Sequence, residues 1–385
     1  MRIGMMADAY KPYISGVTNA IALNKRYLES LGHEVFVFTF GGRQETDEIE
    51  HIYRAPGLPL TPTGFYLGIN YSRPMRKLLY TMDVVHVHHP FISGSLAVTL
   101  CKPRRIPIVC TNHTRYDLYA RAYLPYFPPD LADAMLKAYL PPFYRACDLV
   151  IAPSDGMRQV MLAQGVDAPI EVIPNGVDLS PFRNVAEPFD RRLWGFSSED
   201  VLLVFVGRAA KEKNVAFLLE AFAMAAARVP NIALLIIGGG PALDSLIAWV
   251  QEHDLAGRVC FTGFVPYTRV PGFLAAADAF VTASVTEVHP LTLIEAMASG
   301  LPLLGIDSPG VSDTIQHGVN GLLSSNDLNT FVGRMLQLVT DHSQRREMAS
   351  HAQSQAGLYA IERTAQIVLN HYERLAAGRF DQNAA

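Results

Sequence analysis

Residues 201–241 read VLLVFVGRAAKEKNVAFLLEAFAMAAARVPNIALLIIGGGP. Two short runs of Val, Leu, Ile and Phe stand about thirty residues apart, and between them lie a basic loop and a stretch with helical periodicity near residues 215–228. Apolar runs this short and continuous suit strands buried on both faces, and the spacing leaves room for one crossover helix, so the segment reads as a βαβ unit of a parallel sheet. Working outward toward the C-terminus, the alternation continues through a helix after Pro241, RVCFTGF (258–264), ADAFVTAS (277–284), a helix at 290–299 and LPLLGID (301–307). Toward the N-terminus the same alternation begins with RIGMMAD (2–8), a helix over 17–31 and HEVFVFTF (33–40), then returns in DVVHVHH (83–89), IPIVCTN (106–112) and DLVIAP (148–153). It halts at IEVIPNGVDLSPF (170–182), where Pro174, Asn175, Gly176 and Pro181 interrupt it, and a polar segment runs on to Asp200.

The expected fold is therefore α/β, with two facing Rossmann-like, doubly wound parallel-sheet domains and an interdomain cleft. The domains are expected at residues 1–174 and 175–357, with a C-terminal helix over about 358–377 packing back on the first. A chain of 385 residues that is half apolar is large enough for two cores. Its four cysteines lack the paired spacing of a zinc site or the density of a disulfide scaffold, which points to a reducing compartment and hence the cytoplasm. The first residues read as a strand rather than a signal peptide, and no apolar run approaches the roughly 20 residues of a spanning helix. Any membrane contact is then peripheral. The net charge of −4 argues against a nucleic-acid partner, although it divides as +2 up to Glu171 and −6 beyond, so the first half is the one that tolerates an acidic surface.

Several segments carry chemistry. Ser15-Gly16-Val17 opens a helix straight after the first strand and would present free backbone N–H groups there, as an anion site or simply as a tight turn. The loop lacks the three-glycine dinucleotide fingerprint, which weakens a dehydrogenase reading. Arg208 and Lys213 follow the strand 201–206 and suit a diphosphate, a solvated basic turn being the alternative. In SVTEVHPLTLIEAMASG (284–300), Glu287 and Glu295 bracket a helix start near Pro290. Such carboxylates accept hydrogen bonds from vicinal diols, while the amides of Leu291 and Thr292 can meet phosphate oxygens. His86, His88 and His89 have no carboxylate or thiol at ligand spacing, so they read as site-lining groups rather than zinc ligands. There is no Asp-x-Asp triplet to hold a bridging metal.

Taken together, ISGV (14–17), DVVHVHHPF (83–91), VCTNHTRYDLY (109–119), VIPNGVD (172–178), VGRAAKEKN (206–214) and the Glu-seven-Glu segment resemble, in order and over nearly the whole length, the retaining glycosyltransferases of family 4 with the GT-B fold. The resemblance implies that Gly16 contacts a nucleotide-sugar diphosphate, that Arg208 and Lys213 neutralise it, that Glu287 holds the donor sugar and Glu295 the ribose, and that His113 lies beside the anomeric carbon. It implies no required cofactor and no metal. Where the family usually has an aromatic residue or Gln and then Gly, this chain has His289 and Pro290, and proline has no N–H to offer a sugar hydroxyl.

Around TNHTRYDLY the chain is most similar to bacterial diacylglycerol glycosyltransferases and their sulfoquinovosyl relatives. The implied reaction is transfer of a hexose from a UDP-sugar to diacylglycerol, at the inner face of the cell membrane. Tyr116, Arg121 and Tyr123, in a stretch rich in aromatic and basic residues, suit a lipid headgroup interface or an aromatic core beneath a long loop, and Arg76 and Lys77 form a second basic candidate. His86 and His88 are placed toward the acceptor. The alternatives are a phosphoinositol or soluble-sugar acceptor, a nucleotide-sugar epimerase on the same fold, and a non-catalytic binding module.

Overall fold

A computed structural model describes residues 1–47, 49–60, 65–118, 128–185 and 187–384. Arg121 and Tyr123 lie outside the described residues. The first sheet has the order β3-β2-β1-β6-β7-β8-β9, formed by β1 (Arg2–Met6), β2 (Glu34–Phe40), β3 (Ile52–Ala55), β6 (Val84–Val87), β7 (Ile108–Thr111), β8 (Leu149–Ala152) and β9 (Ile170–Val172), every pair parallel. A separate antiparallel hairpin, β4 (Leu58–Leu60) with β5 (Phe65–Leu67), interrupts the alternation. The second sheet runs β12-β11-β10-β13-β14-β15, formed by β10 (Val201–Val206), β11 (Ile232–Ile237), β12 (Val259–Gly263), β13 (Ala279–Val281), β14 (Leu303–Ile306) and β15 (Gly321–Ser324), again all parallel.

Both sheets are doubly wound, as the alternation predicts, and each reverses its strand order once, between β1 and β6 in the first and between β10 and β13 in the second. The second sheet shows why its strands read as unbroken apolar runs. Leu203, Phe205, Leu234 and Ile236 enter the core on one face, while Leu202, Val204, Leu235 and Ile237 enter the core on the other.

The described residues divide into two compact units, one containing the chain up to Gly176 together with Ile361 onward, the other Val177–Ala360. The terminal helix, Ile361–Ala384, packs on the Gly16–Ser30 helix and sends Val368, Leu369 and Tyr372 into the first unit's core. It starts later than the expected residue 358. Ala356–Tyr359 is a tight turn instead, and Ala360 is extended, bridging to Val177. No helix among the described residues is long and apolar enough to cross a membrane.

Candidate functional site

By the switch-point rule, the reversal between β10 and β13 marks the ligand end of the second sheet. From β10 the chain passes through Gly207 and Arg208 into a single turn, Lys211–Lys213, and Asn214 takes a left-handed φ of 54° before the Val215–Ala226 helix begins. Arg208 is exposed and makes no ion pair among the described residues. From β13 the chain returns over this turn, and Ser284 and Thr286 donate their hydroxyls to the Glu212 carbonyl at 3.4 and 3.1 Å. That clamp sets Glu287 against Lys213, with Nζ to Oε1 at 2.5 Å. Gly310 completes the support. Its φ is 84°, and a Cβ there would strike the carbonyls of Glu287 and Val288.

The next helix, Leu291–Ala298, starts at Pro290 with no side-chain cap, so its first amides have no intrahelical partner and are available to an anion. Leu291 and Thr292 are half-buried at this end. Glu295, one turn in, is buried and accepts a hydrogen bond from the Tyr267 hydroxyl at 2.8 Å. Burial raises its pKa to about 7 against the opposing pull of that bond. His289 is buried beside Tyr359, and burial lowers its pKa to about 4 although the Asp313 charge works the other way.

The first unit's switch point gathers four histidines at the carboxyl ends of β6 and β7. His86 uses both ring nitrogens, Nε2 to Thr111 Oγ1 at 2.7 Å and Nδ1 to the Tyr372 hydroxyl of the terminal helix. His88 stacks on His86, with ring centroids 4.2 Å apart, and its Nδ1 meets Nε2 of His113 at 3.0 Å. His89 Nδ1 accepts from the Asp8 N–H at 3.2 Å, which leaves its ring proton on Nε2. The Asp8 carboxylate in turn accepts from the amides of Ile92 and Ser93 at 3.3 and 2.6 Å, capping the Ile92–Cys101 helix. His88 and His113 line a small cavity walled also by Asn24, Asn175 and Thr364.

On the same unit, Ser15 and Thr18 form a reciprocal capping box at the start of the Gly16–Ser30 helix. Gly16 is exposed, and a Cβ there would meet nothing within 4 Å. Tyr116 packs edge-on against Phe91 at 5.1 Å. Arg76 and Lys77 occupy the last turn of the Arg73–Leu79 helix, which delivers the chain to the amino-terminal end of β6, the end opposite the histidines. Arg104 lies 3.6 Å over the Tyr80 ring, bringing a second basic segment to this edge.

Sequence reasoning singled out Gly16, His86, His88, His113, Arg208, Lys213, Glu287 and Glu295, and missed Asp8, Tyr267, Gly310 and Tyr372. Asp8, a lone carboxylate at the end of an apolar strand, was the most readable of these. Tyr267 and Tyr372 reach their partners only through the fold. Among the described residues no group of three His, Cys, Asp or Glu side chains is arranged to hold a metal ion.

Residues 14–181 match the family described as Glycosyltransferase Family 4, and residues 187–355 match Glycosyl transferases group 1. An Alpha-monoglucosyldiacylglycerol synthase of Acholeplasma laidlawii is 32% identical over 337 residues, 84% of each chain. A GDP-mannose-dependent alpha-mannosyltransferase of Corynebacterium glutamicum is 28% identical over 98% of this chain and 90% of its own. Among solved structures, Anabaena HepE in complex with UDP and glucose superposes with a TM-score of 0.77 over 97% of this chain and 100% of its own, at 18% identity.

Proposed function

The chain belongs to the family 4, group 1 glycosyltransferases of GT-B fold, and on that premise we propose that it transfers a hexose from a UDP-sugar to the free hydroxyl of diacylglycerol, with retention of anomeric configuration, at the anionic inner face of the cell membrane. The observation that carries this reading is the 32% identity to a diacylglycerol glucosyltransferase over 84% of both chains. UDP as the donor base is supported by the likeness to HepE, which was solved with UDP and glucose.

The second unit supplies the donor side of this reading. Arg208 and Lys213 neutralise the diphosphate as its bond to the sugar breaks, and the uncapped amides of Leu291 and Thr292 receive phosphate oxygens. Glu287, held against Lys213, accepts from sugar hydroxyls, and Glu295 accepts from the ribose. His289, backed by Tyr359, shapes the wall before the helix. The first unit supplies the Gly16 amide for the diphosphate and His113 for the sugar. Arg76 and Lys77 serve the anionic lipid surface, and Tyr116, packed on Phe91 at the histidine end, serves the acceptor side.

In the expected chemistry the leaving group departs and the acceptor attacks on one face through an oxocarbenium-like state, and the departing phosphate takes the acceptor proton. A second reading, mannosyl transfer from GDP-mannose, is favoured by the Corynebacterium relative. One experiment separates them: product mass spectrometry with diacylglycerol in anionic liposomes, UDP- and GDP-hexoses offered singly, and an acceptor-free control. Glycosyl-diacylglycerol formed from a UDP-hexose is expected. Product from GDP-mannose alone moves the donor, and nucleotide release without lipid product overturns the acceptor.

A further inference from the structure

We infer that His88 is a positioning residue for His113, and that it presents Nδ1 of His113, carrying the proton, to the sugar; this rests on the reading of His113 given above. The two rings lie nearly parallel, 21° apart with centroids at 5.2 Å, and their only mutual polar contact joins His88 Nδ1 to His113 Nε2 at 3.0 Å. Burial, with the neighbouring imidazoles adding to it, lowers both pKa values, that of His113 to about 3. Both rings are then neutral near pH 7, and a nitrogen-to-nitrogen contact between neutral imidazoles needs one N–H and one lone pair.

The remaining nitrogens decide which ring donates. His88 Nε2 is buried with no hydrogen-bond partner among the described residues. Were His113 the donor, His88 would carry its proton on that buried Nε2, and an N–H without an acceptor is the costlier orphan. With His88 donating from Nδ1, the orphan is a bare lone pair, and His113 must hold its own proton on Nδ1. His113 is the more exposed of the two, and its Nδ1 has no partner among the described residues, so this N–H is the donor left for a ligand oxygen. His86 does not compete for His113, since Thr111 and Tyr372 take both of its nitrogens. Its ring stacks on His88 with centroids 4.2 Å apart and helps hold the plane of that ring.

Two measurements test this together. In the wild-type chain labelled with 15N-histidine, His88 and His113 are both expected as Nδ1–H tautomers, with a trans-hydrogen-bond coupling between His88 Nδ1 and His113 Nε2. An Nε2–H tautomer at His113, or no coupling, overturns the inference. In hexosyl transfer, His88→Gln, whose amide reaches the Nε2 position, is expected to lower kcat about 10–100-fold with little change in KM. His88→Asn, whose amide stands where Nδ1 stood, is expected to recover most of that loss. Equal losses in the two variants reject a positioning role. A wild-type chain that forms no glycolipid counts against the acceptor reading, and the spectra still decide the histidine pairing.

Discussion

Replacing Lys213 by Ala separates a structural ion pair from a leaving-group cation, because the two roles predict effects of different size on different observables. Lys213 and Glu287 stand 2.5 Å apart with side chains 21% and 18% exposed, so water still screens the pair. As a structural contact it is worth about 1 kcal/mol, the upper range for partly exposed pairs. For a unit of this size that is a fall in melting temperature of about 2–4 °C. As a donor to the departing diphosphate, the same ammonium is worth about 2.7–4 kcal/mol in the transition state, a loss of about 100–1,000-fold in kcat. The assay is single-turnover hexosyl transfer beside a thermal melt, with UDP affinity by calorimetry as the ground-state control. Expected are a kcat loss in that range, weaker UDP binding, a melting shift no larger than the structural figure and partial recovery in Lys213→Arg. A variant that melts lower yet keeps kcat within threefold refutes the assignment of the cation to the diphosphate.

Three further outcomes follow from individual contacts. Gly240, with φ of 159° and no room for a Cβ against the Ala209 carbonyl, is expected to cost about 2–4 kcal/mol on mutation to Ala, read as a fall in the chemical-denaturation midpoint of the second unit. Glu295 has a folded pKa of about 7 against an ordinary value of 4.5, so its contribution is unfavourable once the unfolded carboxyl ionises. Stability attributable to it is lost as pH rises from about 4.5 to 7, on the order of 3 kcal/mol in total, and Glu295→Gln is expected to remove that slope in melts across the window. On the proposed ribose role the same ionisation supplies the acceptor, so UDP affinity is expected to rise more steeply between pH 6 and 8 in the wild type than in Glu295→Gln, where only the terminal phosphate of UDP titrates. Arg76→Ala with Lys77→Ala is expected to weaken binding to anionic vesicles by about 2 kcal/mol, near 30-fold in sedimentation assays, and to leave neutral-vesicle binding unchanged.

How far the sequence reaches depends on whether a feature is local. Both parallel sheets were legible because a strand buried on two faces must be apolar at every position, and runs such as VLLVFV and IALLII admit few other readings. The helix start at Ser15-Gly16 was legible from its local signal, but its cap was not read: the Ser15 hydroxyl accepts from the Thr18 amide. The edge strand Ile52–Ala55 was not, because an Arg and a Tyr stand inside it, and neither was the hairpin beside it, where Pro59 breaks the pattern. In the candidate site, residue types were legible and their pairings were not. Lys213 meets Glu287 across 74 positions, Tyr267 meets Glu295 across 28, and Tyr372 meets His86 across 286.

Those pairings decide the chemistry. A glutamate read alone is an ordinary carboxylate that is ionised well below pH 7, whereas burial beneath Tyr267 raises the pKa of Glu295 to about 7. A histidine read alone offers either nitrogen, whereas His113 beside His88 has only Nδ1 left to give. Both constraints come from what the fold excludes. In Glu295 the fold excludes water, which disfavours the charge, and in His113 it occupies one nitrogen, which fixes the other as the donor. The two are therefore separable by experiment: Glu295→Gln should change the pH profile of nucleotide binding and leave the His113 tautomer untouched, while His88→Gln should do the reverse.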